Sequence, residues 1–244
     1  MLAAAAIAFA ALLVALVPSS LRITRFEVSG AQAMTDAEVV SAALVRTGDS
    51  FFSVNTSRVR AALESDPRVF SASARKVLPN LLKLAIKERR AVATAIASVD
   101  GRPAAVKIDA EGVAFAAASA DEAVALPVLS GLRFEDFRVG ARLPSSLSSL
   151  LASLGRIRDE DPLLLSAFSE IRVVRQSKGD PELVLYPMSA RIPVRAGSDL
   201  SAQSLRSMIL VLDVLGTKGI ALSVEELDFR SGTVVYRGKE DHSG

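Results

Sequence analysis

The first hydrophobic pattern in the chain is a continuous one. Leu2 to Val17 are all Ala, Leu, Ile, Val or Phe, and Pro18-Ser19-Ser20 follows them. A helix needs about 20 apolar residues to cross the hydrocarbon of a bilayer, with a lower limit of roughly 17. We interpret residues 1–20 as a transmembrane anchor. A cleaved signal peptide and a buried core helix are the alternatives, but no basic residue precedes the run and no face of it is polar.

Beyond this run, apolar residues recur first with the period of a strand and then with that of a helix. Arg25 to Ser29 alternates like a half-buried strand that Gly30 ends, and Val69 to Val77 and Leu81 to Lys87 alternate in the same way. Thr35-Asp36 and Asn55-Thr56 can cap two helices between these strands. Each helix has one apolar face, formed by Val39, Val40, Ala43 and Leu44 in the first and by Val59, Ala62 and Leu63 in the second.

The second half of the chain has the pattern of a β-rich domain. Two amphipathic helices are predicted, from Leu143 to Arg158 and from Ser201 to Leu215. Strands are predicted around the turn at Gly112 and at Phe168 to Arg175, Glu182 to Tyr186, Arg191 to Arg195, Glu226 to Arg230 and Thr233 to Arg237.

The predicted fold class is therefore α+β. An N-terminal transmembrane helix (1–20) precedes a β-α-α-β-β domain (21–91), in which two helices cover one face of a three-stranded sheet. A mixed β domain (92–238) with a long antiparallel sheet and two helices follows. The polar residues 239–244 are expected to form a disordered tail.

Composition argues against catalysis. The chain has no cysteine, and its single histidine, His242, lies in the polar tail. A serine nucleophile would therefore lack a histidine base, and thiolate, zinc-thiolate and iron–sulfur sites are excluded for this chain. The acidic run Asp159-Glu160-Asp161 points in different directions around a helix end and lacks the spacing of a calcium loop. We predict that the protein is not an enzyme and has no catalytic, cofactor-binding or metal site.

Charge argues against nucleic acid as a partner. Lys and Arg number 29 against 27 Asp and Glu, and the basic residues are dispersed along the chain. The remaining hypothesis is binding through a surface. The strand Thr233 to Tyr236 has high β propensity and is expected at a sheet edge, where it can pair with a strand of a partner. An edge blunted by Arg237 and Lys239 is the alternative.

Several short motifs follow one another in register through most of the chain. In this order they resemble the motifs of the FtsQ/DivIB family of cell-division proteins, whose POTRA domain is followed by a β domain. The POTRA-like motifs are Phe26 to Gly30, Gly48 to Asn55, Asp66 to Val69, Leu78 to Leu82 and Glu88 to Ala93, and those of the β domain include Ile108 to Val113 and Leu126 to Gly131. The resemblance covers about Phe26 to Arg237. It departs at Leu78, where an aromatic residue is common, and at Ala91, where proline is usual.

This resemblance implies a non-enzymatic divisome scaffold that links cytoplasmic-side and periplasmic division proteins. Such a protein crosses the cell inner membrane once at the division septum, with the bulk of its chain extracytoplasmic. Its POTRA domain binds other division proteins, and its C-terminal hairpin receives a segment of an FtsB-type partner, which forms a coiled coil with FtsL. Another POTRA-containing envelope protein, an accessory of outer-membrane assembly or secretion, is the alternative function. The candidate partner-binding residues are Leu227, Asp228, Phe229, Arg230, Ser231, Gly232, Thr233, Val234, Val235 and Tyr236.

Overall fold

The computed structural model describes residues 21–99, 102–131, 138–174, 181–231 and 234–238. The chain divides into two compact units between Arg89 and Arg90, two residues before the predicted domain boundary. The predicted anchor (1–20) and the predicted tail (239–244) lie outside the described residues. Within the described ranges, no helix is long and apolar enough to cross a membrane.

The N-terminal unit has the predicted β-α-α-β-β order of elements. The elements are β1 (Arg25–Ser29), α1 (Asp36–Ala42), α2 (Thr56–Glu64), β2 (Val69–Val77) and β3 (Leu81–Glu88). The strands lie in the order β1-β3-β2, with β1 parallel and β2 antiparallel to β3. Leu82, Leu84 and Ile86 of β3 point into the core, whereas Ala85 and Lys87 are exposed, as the alternation predicts.

Side-chain caps begin both helices where the sequence predicts them. Thr35 and Glu38 form a capping box at α1, each side chain accepting the backbone amide of the other residue. The Thr35 amide, and then the guanidinium of Arg68, lower the pKa of Glu38 to about 2. Asn55 caps α2 by accepting two backbone amides. These local bonds explain why the helix starts can be recognised in the sequence.

The end of α1 differs from the prediction. The helix stops at Ala42, and Leu44 has a φ of 55°, the left-handed conformation that commonly follows a helix end. This turn takes the Leu44 side chain off the helical face, so that it is 81% exposed, while Val39 and Ala43 are buried. The expectation that Leu44 belongs to the apolar face is therefore wrong.

The C-terminal end of β3 is fixed by a carboxylate. Glu88 accepts the backbone amides of Gln32, Ala33 and Met34, at 2.8, 2.9 and 2.9 Å. Partial burial raises the pKa of Glu88, but these three amides outweigh it, and the net pKa lies below the usual value. Glu88 thus holds the segment before α1 on the sheet.

The C-terminal unit contains one sheet of nine described strands. The strands are β4 (Ala91–Val99), β5 (Arg102–Asp109), β6 (Ala114–Ala117), β7 (Val128–Ser130), β8 (Phe168–Val174), β9 (Glu182–Pro187), β10 (Val194–Ala196), β11 (Val224–Asp228) and β12 (Val235–Gly238). Their order in the sheet is β12-β11-β10-β9-β8-β7-β4-β5-β6. The helices are α3 (Ala120–Val124), α4 (Ser148–Glu160), α5 (Leu163–Ser166) and α6 (Ala202–Thr217), with short 3₁₀ turns at Ser145–Leu147 and Ala221–Ser223.

This sheet is mixed rather than antiparallel. Strand β7 is parallel to both β4 and β8, and β10 is parallel to β11. The prediction of a long antiparallel sheet is wrong at these three pairings, because parallel partners are distant in the sequence and local alternation does not encode them. The two predicted helices correspond to α4 and α6, and the short helices α3 and α5 are additional.

The core of the C-terminal unit lies between the sheet and its two long helices. The apolar stripe of α4 is buried, with Leu150, Leu151 and Leu154 each at most 1% exposed. On α6, Leu205 and Met208 pack into the same core.

The strand phase of β3 gives a stability prediction. Leu84→Asp places an unpaired charge in a fully buried site and should cost several kcal/mol, on the order of the stability of a small domain. The same substitution at the neighbouring exposed residue, Ala85→Asp, should cost about 1 kcal/mol or less. Urea unfolding followed by hydrogen exchange in residues 25–88 measures the free energy of unfolding of both variants. Equal losses would show that the assignment of Leu84 to the buried face and of Ala85 to the exposed face is wrong.

Candidate functional site: the C-terminal hairpin

The candidate site is the hairpin of β11 and β12. The two strands are antiparallel, with Leu227 opposite Tyr236 and Asp228 opposite Val235. Both strands are offset from their predicted bounds, because β11 starts two residues earlier and β12 starts two residues later. Two of the candidate residues, Gly232 and Thr233, lie outside the described residues.

One cross-strand row of side chains joins the hairpin to the core. Leu185, Val194, Leu227 and Tyr236 are partners in register across β9, β10, β11 and β12. The first three are at most 1% exposed, whereas Tyr236 is 67% exposed. Burial therefore ends between two neighbouring strands, since Leu227 on β11 lies in the core and Tyr236 on β12 lies in solvent. Tyr236 extends the apolar face of the sheet beyond the part that is buried in the core.

The opposite face of the same strands carries a network of charges. Arg195 of β10 donates through Nε to Glu226 of β11 and through Nη1 to Glu182 of β9 at 2.9 Å. Arg230, just after β11, reaches Glu182 through its own Nη1 at 2.6 Å. The Glu182 side chain is only 8% exposed, and both arginines help to compensate the charge of this shielded carboxylate. Charged pairs thus connect three neighbouring strands on the face away from the core.

A short turn directs the chain out of β11. The Asp228 carboxylate accepts the backbone amide of Arg230 at 2.9 Å and its Nε at 3.0 Å, which is an Asx turn reinforced by an ion pair. Arg230 lowers the pKa of Asp228 below its usual value of 3.8. The interaction of the ionised Asp228 with Arg230 therefore stabilises the fold fully above pH 3.8. This stabilisation is lost only as the pH falls through the lower pKa that Asp228 has in the folded state.

Phe229 fixes the same turn from the other side. Its side chain is partly buried against the core of the C-terminal unit. Its backbone amide donates to the carbonyl of Arg195 at 2.9 Å. Phe229 therefore anchors the hairpin, and its ring is not fully available to another molecule.

Strand β12 ends the sheet and is exposed along its length. At the opposite end of the sheet, the following chain bonds to the first residue of the edge strand β6, because Ala114 exchanges backbone hydrogen bonds with Ala141 and Gly140 at 2.9 and 2.6 Å. In the described part of the chain, no strand or segment pairs with the outer edge of β12. Sheet edges are commonly shielded in this way, whereas the described chain leaves the edge of β12 unshielded.

The structure divides the eight described candidate residues by environment, and Ser231 is exposed. Leu227 is buried, and Phe229 is half-buried. Asp228 and Arg230 belong to the charge network, while Val234, Val235 and Tyr236 are 40%, 56% and 67% exposed. Sequence reasoning missed Glu182, Arg195 and Glu226, because only the pairing of distant strands brings them together.

Comparison with known proteins agrees with the motifs found in the sequence. Residues 21–89 match the family model described as POTRA domain, FtsQ-type. The Cell division protein FtsQ of Geotalea daltonii is 26% identical over 217 residues, which are 88% of this chain and 76% of that protein. Proteins of the same name from Geobacter sp. (strain M21) and Anaeromyxobacter sp. (strain K) are 25% and 29% identical, over 89% and 86% of this chain and 76% and 68% of their own lengths. These matches confirm the resemblance to the FtsQ family.

The charge network predicts a local effect on the hairpin. Arg195→Met leaves Glu226 without this guanidinium and Glu182 with one arginine fewer, and we expect a loss of roughly 2–4 kcal/mol of stability because one partner of a shielded ion pair is removed. Hydrogen exchange of residues 224–231 in the full chain should accelerate. The matched control is Arg156→Met, whose ion pair with Asp199 is largely exposed and should contribute at most about 1 kcal/mol. Equal effects of the two substitutions would contradict the structural role of Arg195.

Proposed function

We propose that this chain, a relative of the FtsQ cell division proteins over most of its length, is a non-enzymatic scaffold of the division machinery. In this proposal it is anchored in the cell membrane and presents the edge of β12 to a strand of an FtsB-type partner. The observation that carries the proposal is the open edge of β12, formed by exposed β-branched and aromatic residues. Main-chain hydrogen bonds across such an edge supply affinity, and alternate side chains supply specificity.

The hydrogen bonds of β11 indicate which backbone groups of β12 are available. The amides of Leu227 and Phe229 donate to carbonyls of the β10 segment, at 3.0 and 2.9 Å. Successive residues of a strand direct their N–H and C=O groups to opposite sides, so Asp228 between them faces β12. Its partner Val235 therefore faces back toward β11, and Tyr236 directs its N–H and C=O to the open edge. Tyr236 is the residue through which an added strand would bond.

The side chains of β12 support a partner that contacts both faces of the strand. Tyr236 extends the apolar row that begins in the core, and an aromatic anchor at the centre of an interface often contributes about 2 kcal/mol or more. Val235 and Arg237 point to the other face, beside the network of Arg195 and Glu226. A partner strand with an apolar residue on one face and an acidic residue on the other would complement this edge.

The hairpin is also held firmly enough to act as a template. Burial of Leu227 on one face and the ion pairs of Arg195 on the other fix β11 before any partner arrives. A preorganised edge loses little conformational entropy on binding, which favours affinity. The POTRA domain is proposed to bind other division proteins independently, because its core is separate from that of the C-terminal unit.

The direction of the amides gives a sharp test of strand addition. Tyr236→Pro removes the outward amide without removing a donor to β11, and Tyr236→Ala removes the side chain alone. If a partner strand pairs with this edge, Tyr236→Pro should weaken binding more than Tyr236→Ala, because proline also removes a main-chain hydrogen bond. That bond contributes about 1 kcal/mol, so the Kd of the proline variant should be about fivefold higher than that of the alanine variant. Val235→Pro is a poorer test, because its amide faces β11 and its loss would open the hairpin itself.

The measurement is a titration of the full chain with the extracytoplasmic segment of an FtsB-type partner. Hydrogen exchange of residues 194–228 serves as the control that the sheet remains folded. If Tyr236→Pro binds as tightly as Tyr236→Ala while the sheet is intact, the partner does not add a strand at this edge.

The proposed anchor gives a separate prediction. The apolar run from Leu2 to Val17 should hold the full chain in the membrane fraction through a high-salt wash, because hydrophobic insertion is not screened by salt. A chain that starts at Leu21 should be released by the same wash. A mature protein from membranes that begins near Ser19 would instead identify the run as a signal peptide.

A further inference from the structure

The N-terminal unit holds the incoming chain tightly from Leu21 onward. The amide of Phe51 donates to the carbonyl of Leu21 at 2.9 Å, and the amide of Thr24 donates to the carbonyl of Asn80 at 3.0 Å. Ile23, between them, is fully buried. The segment therefore lies between two loops of the domain, and its position is fixed relative to both.

Each of these loops exposes a large apolar side chain. Phe52 follows Phe51 and is 70% exposed, and Leu78 lies in the turn that ends at Asn80 and is 66% exposed. The ring of Phe52 meets that of the buried Phe51 edge to face, with centroids 5.9 Å apart. Contact with Phe51 thus supports the outward position of Phe52 on the loop.

Only three residues separate this end of the domain from the apolar run. Val17 ends the run, and residues 18–20 precede Leu21. Four Cα steps span at most about 14 Å, even when fully extended. If the run is a membrane anchor, Leu21 is tethered within that distance of the end of the anchor. The two loops that hold the segment from Leu21 to Thr24 are tethered with it.

The charges near Leu21 suit a lipid surface. Arg22 and Arg25 are exposed beside the held segment, and Arg22 also donates to the carbonyl of Gly48 at 2.9 Å. The nearby acid, Asp49, accepts the backbone amide of Arg46 at 2.9 Å. Arginine next to exposed aromatic and aliphatic side chains is the combination that favours the interface of anionic membranes.

We propose that this end of the POTRA domain, with Phe52 and Leu78 flanked by Arg22 and Arg25, docks into the lipid–water interface of the membrane that carries the anchor. The inference rests on the proposed anchor and adds a second, independent contact with the bilayer. Two contacts restrict rotation of the domain about its short tether, whereas one does not. The domain would then stand on the membrane in one orientation, with the far ends of its strands directed away from the lipid.

The chain contains no tryptophan, so a single introduced tryptophan reports its own surroundings. Phe52→Trp and Leu78→Trp place the reporter at the proposed interface. Phe70→Trp is the matched control, because Phe70 is 39% exposed and lies next to Val69, which pairs with Glu88 at the opposite end of the sheet. The strand from Leu81 to Glu88 separates the two ends by about 23 Å.

The full-length variants are reconstituted into vesicles of phosphatidylcholine and phosphatidylglycerol, with or without bromine on the acyl chains near the headgroup. We expect the emission of Phe52→Trp and Leu78→Trp to shift to shorter wavelength and to lose intensity with the brominated lipids, and that of Phe70→Trp to do neither. Vesicles of phosphatidylcholine alone should reduce the quenching at both interface positions, since the arginines then lack anionic partners.

Flotation of the vesicles separates failure of this inference from failure of the anchor. A chain that does not float with the vesicles overturns the proposed anchor. A chain that floats but shows no more quenching at Phe52 and Leu78 than at Phe70 overturns the docking while the anchor stands. A blue shift without quenching would place these side chains against protein, in a second copy or another partner, and would also overturn it.

Discussion

The candidate site at the C-terminal hairpin depends on one short parallel pairing, that of β10 with β11. Its two pairs in register are Val194 with Leu227 and Arg195 with Asp228, supported by backbone hydrogen bonds from Leu227 and Phe229 to the β10 segment. So short a pair would be weak by itself, and it is stabilised from both faces. On one face Leu227 completes the core, and on the other Arg195 binds carboxylates of β9 and β11. Because β12 contacts the sheet through β11, the position of the open edge follows from this pairing.

Two of the other sheet edges, those of β2 and β6, are treated differently. In the N-terminal unit, the outward amide of Ala72 on the edge strand β2 donates to the carboxylate of Glu64 from α2, at 3.2 Å. In the C-terminal unit, the edge of β6 is bonded by the chain at Gly140 and Ala141. Both devices occupy backbone groups that could otherwise pair with a foreign strand. The exposure of Tyr236 on β12 is therefore a local property of that edge, which is why strand addition is proposed there and not at β2 or β6.

The sequence predicted the N-terminal unit better than the C-terminal one for a physical reason. Caps such as Thr35 and Asn55 act within three residues, so they can be recognised without knowledge of the fold. The error at Leu44 arose because hydrophobic periodicity does not register a left-handed residue that ends a helix. In the C-terminal unit, β4 is a central strand buried on both faces and rich in alanine, so it shows neither alternation nor high β propensity. The hairpin was predictable from its local turn, but its charge network was not, because Glu182 and Arg195 meet only through strand pairing.

A site of this kind places different demands on backbone and side chains. An added strand bonds to N–H and C=O groups, which every residue except proline supplies, so the docking edge can persist while most of the sequence changes. Such a site must keep the residues that hold the hairpin in place. Here these are the buried Leu227, Arg195 with its ion pairs, and Asp228 with its turn. Identity of 25–29% with FtsQ proteins is compatible with that kind of function, because backbone recognition requires little identity. In strand addition of the proposed kind, the few exposed side chains of β12 therefore determine which partner strand binds. The main ones are Tyr236 on the apolar face and Val235 on the charged face.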